Sequence, residues 1–526
     1  MTAAAPLALD GPAPVAFPVA ARLAALAGWR RHAAAAGFGV LATLALPPAQ
    51  AAPLLWIAFP ALLWLVDGCR STRSAFWTGW WFGLAHHLFG LYWIAGALFV
   101  DIASFWWALP LAAGGLPVVL AVFVGAGTAL LHRSGLRGPA RVLAFAGLWA
   151  VGEWVRGVVF TGFPWNLIGY AWTAWLPVVQ TAAWVGVHGL GLLTVLAASA
   201  PWLLGRPDVS RRIAVGATVA GIGLFVALAA AGAVRLAVNP TVPTERTVRI
   251  VQPNTGNLLS PTRDQVVDAF RRVLRLQADP PPGAVIVWPE TAVPALIDRD
   301  PEALRLVGSV TPKGGYTVAA TPRVVTDADG RRRIHNSVLA VDPEGRVVET
   351  YDKAHLVPFG EYVPFRWLFP GIAAVATGPD EFSPGPGPRT WRLPGVPAVG
   401  PLICYEVIFP AAVVDRADRP EWLLNATNDS WYGRTAGPHQ HFAITRMRAV
   451  EEGVPVVRAA LTGISGVIDP LGRVVARLGL DAEGVVDAPL PRPLDGPPLQ
   501  ARAGHLGLVV MLMILALCVP ITRHRC

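Results

Sequence analysis

The chain has 526 residues, 54% of them hydrophobic and 15% charged, against about a quarter charged in an ordinary soluble domain. That excludes a wholly soluble enzyme, and a mean hydropathy of +0.48 excludes a disordered chain, which needs low hydrophobicity and high net charge. The net charge of +9 does not indicate nucleic acid, because the basic residues sit between apolar runs and form no stripe interleaved with aromatics.

A membrane crossing takes about 20 mostly apolar residues, and eight runs are predicted as spans: 33–48, 52–68, 76–99, 106–131, 141–159, 176–204, 213–236 and 505–522. The turn Pro47-Pro48-Ala49-Gln50 separates the first two, and 176–204 is long enough to tilt or to carry a loop at one end. Arg30 and Arg31 precede the first span. Arg70 and Arg73 follow the second, Arg133, Arg137 and Arg141 the fourth, Arg206, Arg211 and Arg212 the sixth, and Arg523 and Arg525 the eighth. Every second loop is therefore basic, which by the positive-inside rule puts the N-terminus in the cytoplasm and the long segment between spans seven and eight on the far side. The predicted organisation is a seven-span bundle over 1–240, an extracytoplasmic domain over 241–503, and a last span with a cytoplasmic tail over 504–526. Between spans five and six, Glu153, Trp154 and Arg156 precede Thr161-Gly162-Phe163-Pro164-Trp165-Asn166. This segment reads either as an aromatic belt with a snorkelling arginine or as the opening between bilayer and domain, with Glu153 and Arg156 neutralising each other.

From residue 246 short β-branched runs alternate with helical spacing. Strands are predicted at Thr247–Val251, Ala284–Trp288, Tyr316–Ala320, Ser337–Val341, Val347–Tyr351, Ala398–Ile403, Trp422–Asn425, Val454–Ala459 and Gly466–Ile468, with helices at Arg263–Leu276 and His439–Glu452. Such alternation gives a layered α/β domain.

Three polar islands follow directly on apolar strands, where catalytic groups of α/β sheets gather. Glu290 follows Val285-Ile286-Val287-Trp288-Pro289, Lys353 follows Val348-Glu349-Thr350-Tyr351-Asp352, and Cys404 follows Val399-Gly400-Pro401-Leu402-Ile403. Of 43 basic side chains only Lys313 and Lys353 are lysines, so a lysine in this arginine-rich chain draws notice. The four cysteines give no disulfide framework, since Cys69, Cys518 and Cys526 lie in or beside spans and Cys404 alone lies in the domain. Taken singly, each residue reads as helix-end acid, solvated lysine or core thiol. Together they supply what a thiol nucleophile needs: a base to take its proton and a cation for the developing oxyanion. Neither His439 and His441 nor His86 and His87 have partners at ligand spacing, so no metal is expected, and the chemistry asks for no cofactor.

The segments around Glu290, the run Asp352-Lys353-Ala354-His355-Leu356-Val357-Pro358-Phe359-Gly360-Glu361-Tyr362-Val363-Pro364, and Ile403-Cys404-Tyr405-Glu406 resemble the motifs of the nitrilase, or carbon-nitrogen hydrolase, superfamily. With the spans, the Thr161–Trp165 loop and Asn428-Asp429-Ser430-Trp431-Tyr432-Gly433, the whole chain resembles the bacterial apolipoprotein N-acyltransferase family. The resemblance implies an αββα sandwich on a membrane bundle, with Glu290 as general base, Lys353 as oxyanion stabiliser and Cys404 as nucleophile. It implies supporting roles for Glu361 and Glu406, although Glu406 reads equally as a structural acceptor holding the turn. It places Tyr405, Trp431 and Trp165 near an acyl pocket. The implied substrates are a phospholipid, as sn-1 acyl donor, and the α-amine of a diacylglyceryl-cysteine at a lipoprotein N-terminus. The implied setting is the bacterial inner membrane with the catalytic domain on the periplasmic face, as a monomer. A membrane-anchored nitrilase-type amidase is the alternative, but one anchor would serve a soluble substrate, where this chain has eight predicted spans. A transporter is disfavoured because the spans hold few ionisable residues. Gly360 to Gly387, with Phe365, Trp367 and Phe369, reads either as an arm dipping to the bilayer or as an ordered surface loop.

Overall fold

The computed structural model describes residues 17–523 except 259–260, 328, 369–370 and 378–379. The start of the predicted bundle segment and the last three residues of the predicted tail therefore lie outside the described residues, as does Phe369.

Each predicted span coincides with helix. The helices are α1 (Gly28–Thr43), α2 (Leu55–Asp67), α3 (Thr72–Leu91), α4 (Leu109–Arg133), α5 (Gly138–Arg156), α6 (Ala182–Ser199) and α7 (Arg211–Val238), with a final helix Leu506–Arg523 after the β-sheet domain. Four helical segments among the described residues are long and apolar enough to cross a membrane: Thr72–Asp101, Trp106–Arg133, Ala182–Gly205 and Arg211–Val238. The others are shorter or less apolar and complete the bundle around them. Ser71 and Ser210 cap α3 and α7 by accepting from the amides of Ser74 and Ile213. Close helix approach depends on small residues: a Cβ on Gly39 of α1 would stand 2.2 Å from the Phe82 carbonyl of α3.

The predicted first span lies five residues too far along the chain, because α1 begins ahead of the arginine pair. Arg31 is buried, not free at an interface, and binds the carbonyls of Leu26 and Gly68 and the Ser74 hydroxyl. The over-long run 176–204 breaks at Gly186, whose φ of 68° and ψ of 175° interrupt α6.

The segment between α7 and the final helix is a two-sheet sandwich. One sheet has the order β11-β1-β2-β3-β4-β5 and the other β10-β9-β8-β7-β6. Their ranges are β1 Pro243–Gln252, β2 Val285–Val287, β3 Tyr316–Thr326, β4 Arg332–Val341, β5 Val347–Asp352, β6 Val399–Ile403, β7 Trp422–Thr427, β8 Val456–Ala460, β9 Ser465–Ile468, β10 Val474–Leu478 and β11 Gly484–Pro491. All nine predicted strands are present. The last two strands, one at the edge of each sheet, escaped prediction, being short and largely solvent-facing in β10 and proline-punctuated in β11.

Alternation along the strands sorts the side chains into layers. Val248, Ile250, Val285 and Val287 meet Leu424, Ala426, Val457 and Val467 between the sheets. Val251, Ile286 and Leu339 point the other way onto Val273 of α8 (Arg263–Gln277) and Val307 of α9 (Pro301–Val310). Leu423, Val456 and Ile468 pack on Ile444 and Met447 of α10 (Ala436–Glu452), and that cluster runs without a break into the bundle core. The helix α10 is thus the layer between sandwich and membrane helices. Gln440 pins it there, accepting from the indole N–H groups of Trp93 (3.0 Å) and Trp165 (2.7 Å) and donating to the carbonyls of Pro47 and Gly90. Glu451, the penultimate residue of α10, accepts from the Val187 amide just past the Gly186 break.

Candidate active site

Sheet geometry brings the three polar islands to one buried place. Glu290 leaves the end of β2, Lys353 follows β5, and Cys404 follows β6. All three are at most 4% exposed. Lys353 Nζ donates to Glu290 Oε1 at 3.1 Å and to Glu361 Oε1 at 2.9 Å. Asn336 of β4 makes the same bridge with its amide, donating at 2.7 Å to Glu290 Oε1 and 3.0 Å to Glu361 Oε1. The outer carboxylate oxygens are also held: Glu290 Oε2 accepts from the Asn428 amide at 2.9 Å, and Glu361 Oε2 from the Val357 amide at 2.8 Å. Two buried carboxylates are therefore locked to one ammonium and one neutral amide.

Cys404 sits in the left-handed region, with φ of 50°, a conformation that costs about 1–3 kcal/mol in a residue with a side chain unless its surroundings impose it. Glu406 is what imposes it. Its Oε2 accepts from the Ile403 amide at 2.7 Å, while Oε1 accepts from the Tyr351 hydroxyl (2.7 Å) and the amides of Ala354 (2.8 Å) and His355 (3.1 Å). One carboxylate thus ties the turn after the thiol to the loop after Lys353. Burial pushes the Glu406 carboxyl up, against the pull of the Ile403 amide and Tyr351 hydroxyl.

Burial likewise pushes the Cys404 thiol well up, the Glu290 carboxylate adds to this, and Lys353 opposes it. Burial would lower the Lys353 ammonium, but Glu290 and Glu361 outweigh it and hold the lysine above its usual range. At rest the proton belongs on sulfur and the lysine is charged. Moving the thiol proton to Glu290 leaves the net charge of this dry site unchanged, which is the condition for doing it cheaply.

Behind the thiol lies a second buried polar cluster. Asp429 takes His441 Nδ1 on Oδ1 at 2.8 Å and Arg458 Nη2 on Oδ2 at 2.7 Å. Arg458 also reaches Asn425 Oδ1, whose own amide points at the Cys404 carbonyl at 3.4 Å. Burial would raise the Asp429 carboxyl, but Arg458 and His441 bring it down to about 2.

The Thr161–Trp165 loop is fastened to this site from both flanks. His355 Nε2 meets the Thr161 carbonyl at 2.9 Å, and the Tyr405 hydroxyl donates to the Gly162 carbonyl at 3.1 Å. Arg156 holds the loop from below by donating to the carbonyls of Phe163, Trp165 and Asn166, and Glu153 accepts from the Ile168 amide. The two charges are buried and organise loop backbone; they are neither a snorkelling arginine nor simply each other's counter-ion. Trp165 is 1% exposed, its indole N–H committed to Gln440 and its ring 5.3 Å from that of His441. Tyr405 is buried too, whereas Trp431 is partly exposed. Another aromatic at this site is Tyr432, whose phenol is raised by burial first and then by Cys404 and Asp429.

The segment after Glu361 folds back on itself, with amides of Val375 and Ala376 donating to the carbonyls of Phe359 and Gly360 and Arg366 paired to Glu381 at 2.8 Å. Trp367 at its tip is 77% exposed, and Phe365 faces Phe160 of the bundle loop at 6.4 Å. Sequence reasoning missed Asn336, Thr427, His441 and Arg458 as members of the site. Only the polar triplet His335-Asn336-Ser337, set directly against the apolar run Val338–Val341, could have signalled Asn336.

A sandwich of two sheets flanked by helices, with a buried Glu-Lys-Cys cluster and membrane helices packed under one layer, defines a membrane-borne carbon-nitrogen hydrolase fold. Residues 247–494 match the carbon-nitrogen hydrolase domain, and residues 38–200 match the apolipoprotein N-acyltransferase N-terminal domain. The chain belongs to the apolipoprotein N-acyltransferase family. It is 39% identical over 518 residues to the apolipoprotein N-acyltransferase of Rhodopseudomonas palustris, covering 94% of this chain and 96% of that one. It is 41% identical over 487 residues to that of Allorhizobium ampelinum, covering 89% and 92%. Among solved structures it is similar to a carbon-nitrogen hydrolase from Helicobacter pylori, at 16% identity and a TM-score of 0.35 over 46% of this chain and 87% of that one.

Proposed function

We propose that this protein transfers an acyl chain from a phospholipid to the N-terminal α-amine of a diacylglyceryl-cysteine lipoprotein, by way of a thioester on Cys404. The observation that carries the reading is the double bridge of Lys353 and Asn336 across Glu290 and Glu361, beside a strained, buried thiol whose supporting helix is also the roof of the membrane bundle.

In the first half-reaction Glu290 takes the Cys404 proton as sulfur attacks the sn-1 ester carbonyl. The Lys353 ammonium stabilises the oxyanion. The C–O bond then breaks, the proton passes from Glu290 to the leaving oxygen, and lysophospholipid departs. In the second, the neutral α-amine attacks the thioester, the C–S bond breaks, and the amine proton returns through Glu290 to sulfur. Exchange of ester for thioester and then for amide needs no external energy source, and two sequential half-reactions give ping-pong kinetics. Alternating basic loops support placing this chemistry on the periplasmic face of the inner membrane.

The test is to incubate the purified protein with phospholipid and seek an acyl mass adduct on the Cys404 peptide. An adduct that disappears in Cys404→Ala and is consumed by a diacylated lipopeptide is expected. Turnover of a water-soluble amide with no acyl transfer to the lipopeptide would overturn the reading in favour of an amidase.

A further inference from the structure

Thr427 is the last residue of β7, and β7 runs parallel to β6 with Ile403 paired to Ala426. Cys404 and Thr427 are the residues that follow this last pair along the two adjacent chains. The Thr427 side chain is fully buried, and its hydroxyl lies near enough to the Cys404 sulfur to pull against the burial that raises the thiol. Its other partner is Asp429 Oδ1, at 3.3 Å. That is long for a hydroxyl bond, which settles near about 2.7–2.8 Å, and Asp429 has shorter ones from His441 (2.8 Å) and Arg458 (2.7 Å). Withdrawing the Thr427 proton from Asp429 thus leaves that carboxylate satisfied. A buried thiolate, in contrast, is poorly solvated, and each donor aimed at it counts heavily.

We propose that Thr427 is a further catalytic residue, whose hydroxyl swings from Asp429 to Cys404 Sγ as the thiol proton leaves for Glu290 and returns to Asp429 once the sulfur is acylated. Thr427 keeps its own proton throughout; only the acceptor changes. Asp429, clamped by Arg458 and His441, is the positioning residue that parks the hydroxyl between turnovers. This assignment rests on Cys404 being the nucleophile. The charged groups that act on the thiol are Glu290, Lys353 and Asp429, Asp429 is itself bound by His441 and Arg458, and none of these side chains is altered by a substitution at Thr427.

The experiment measures alkylation of Cys404 by iodoacetamide against pH in the full-length detergent-solubilised protein, read on the Cys404 peptide by mass spectrometry. Thr427→Val removes the hydroxyl and keeps the shape. Its alkylation midpoint is expected to rise by about one pH unit, a tenfold loss of rate at fixed pH, and Thr427→Ser is expected to return it to the wild-type position. Thr427→Ala serves as the second hydroxyl-free variant if valine does not fold. A hydroxyl-free variant that melts like the wild type and keeps its midpoint overturns the proposal, as does a serine variant that behaves like valine. Acyl-adduct formation from phosphatidylethanolamine micelles is measured in parallel: its absence from the wild type overturns the acyl-transfer reading, whereas the alkylation profile still decides the role of Thr427.

Discussion

Asn336→Ala is the sharpest test of the site as drawn. The substitution removes a neutral amide that donates at 2.7 Å to Glu290 and 3.0 Å to Glu361, leaving Lys353 alone to hold both carboxylates. A hydrogen bond to a charged acceptor contributes about 1.5–3 kcal/mol. Only the bond to Glu290 orients the proposed base, so acylation loses the worth of one bond. At about 1.36 kcal/mol per decade that is a slowing of about 10- to 150-fold. The second bond, to Glu361, weakens the hold on Lys353 and lowers stability without adding in full to the rate effect, because the pair shares partners. Single-turnover acylation, followed as growth of the acyl adduct on intact protein, isolates this step from amine transfer. Asn336→Ala protein that melts like the wild type and acylates within a factor of two of it would refute the claim that the double bridge sets the base.

Glu406 acts only as an acceptor, so glutamine must turn its NH2 toward a donor whichever way it faces. The less costly orientation gives up the Ile403 amide, about 1.5–3 kcal/mol. At about 2–4 °C per kcal/mol for a domain of this size, Glu406→Gln should melt about 3–12 °C lower, and an unchanged melting temperature would remove the structural role argued for it. Asp429 sets an acid limb to stability: its folded carboxyl is held at about 2, below the value near 4 of an unfolded aspartate. Its stabilisation is therefore complete above about pH 4 and lost as pH falls through about 2, amounting to about 3 kcal/mol. In Asp429→Asn this limb should flatten, and at neutral pH the buried Arg458 left without its partner should cost about 3–5 kcal/mol. Melting curves from pH 2 to 7 check both, and a variant with the wild-type acid limb contradicts the assignment.

Much of the molecule was legible along the chain because the relevant forces are local. Apolar length fixes where helices can sit in lipid, so all eight predicted spans are helical, and β-branched runs bounded by turns located nine strands. The strand-end placement of Glu290, Lys353 and Cys404 could be read because each island follows its own apolar run. Boundaries failed where a side chain found a distant partner: Arg31 looked like a topology signal, and it is buried against Gly68 and Ser74. The strands β10 and β11 carry too little apolar pattern to be seen without their neighbours.

What the sequence by itself determined is a lipid-embedded half, a layered α/β half and three residues with complementary chemistry. Only the tertiary structure decided that Asn336 joins Lys353 in bridging two carboxylates, that Glu406 serves as a four-bond anchor, and that Asp429, His441 and Arg458 stand behind the thiol. Trp165, expected at an acyl pocket, has its indole N–H committed to Gln440, which sits 275 positions away in the chain. The physical reason is the same in each case. Hydrophobic periodicity is written in neighbouring residues, but the partners of a buried polar group are set by which sheets and helices fold over it, and those come from segments that no local pattern connects.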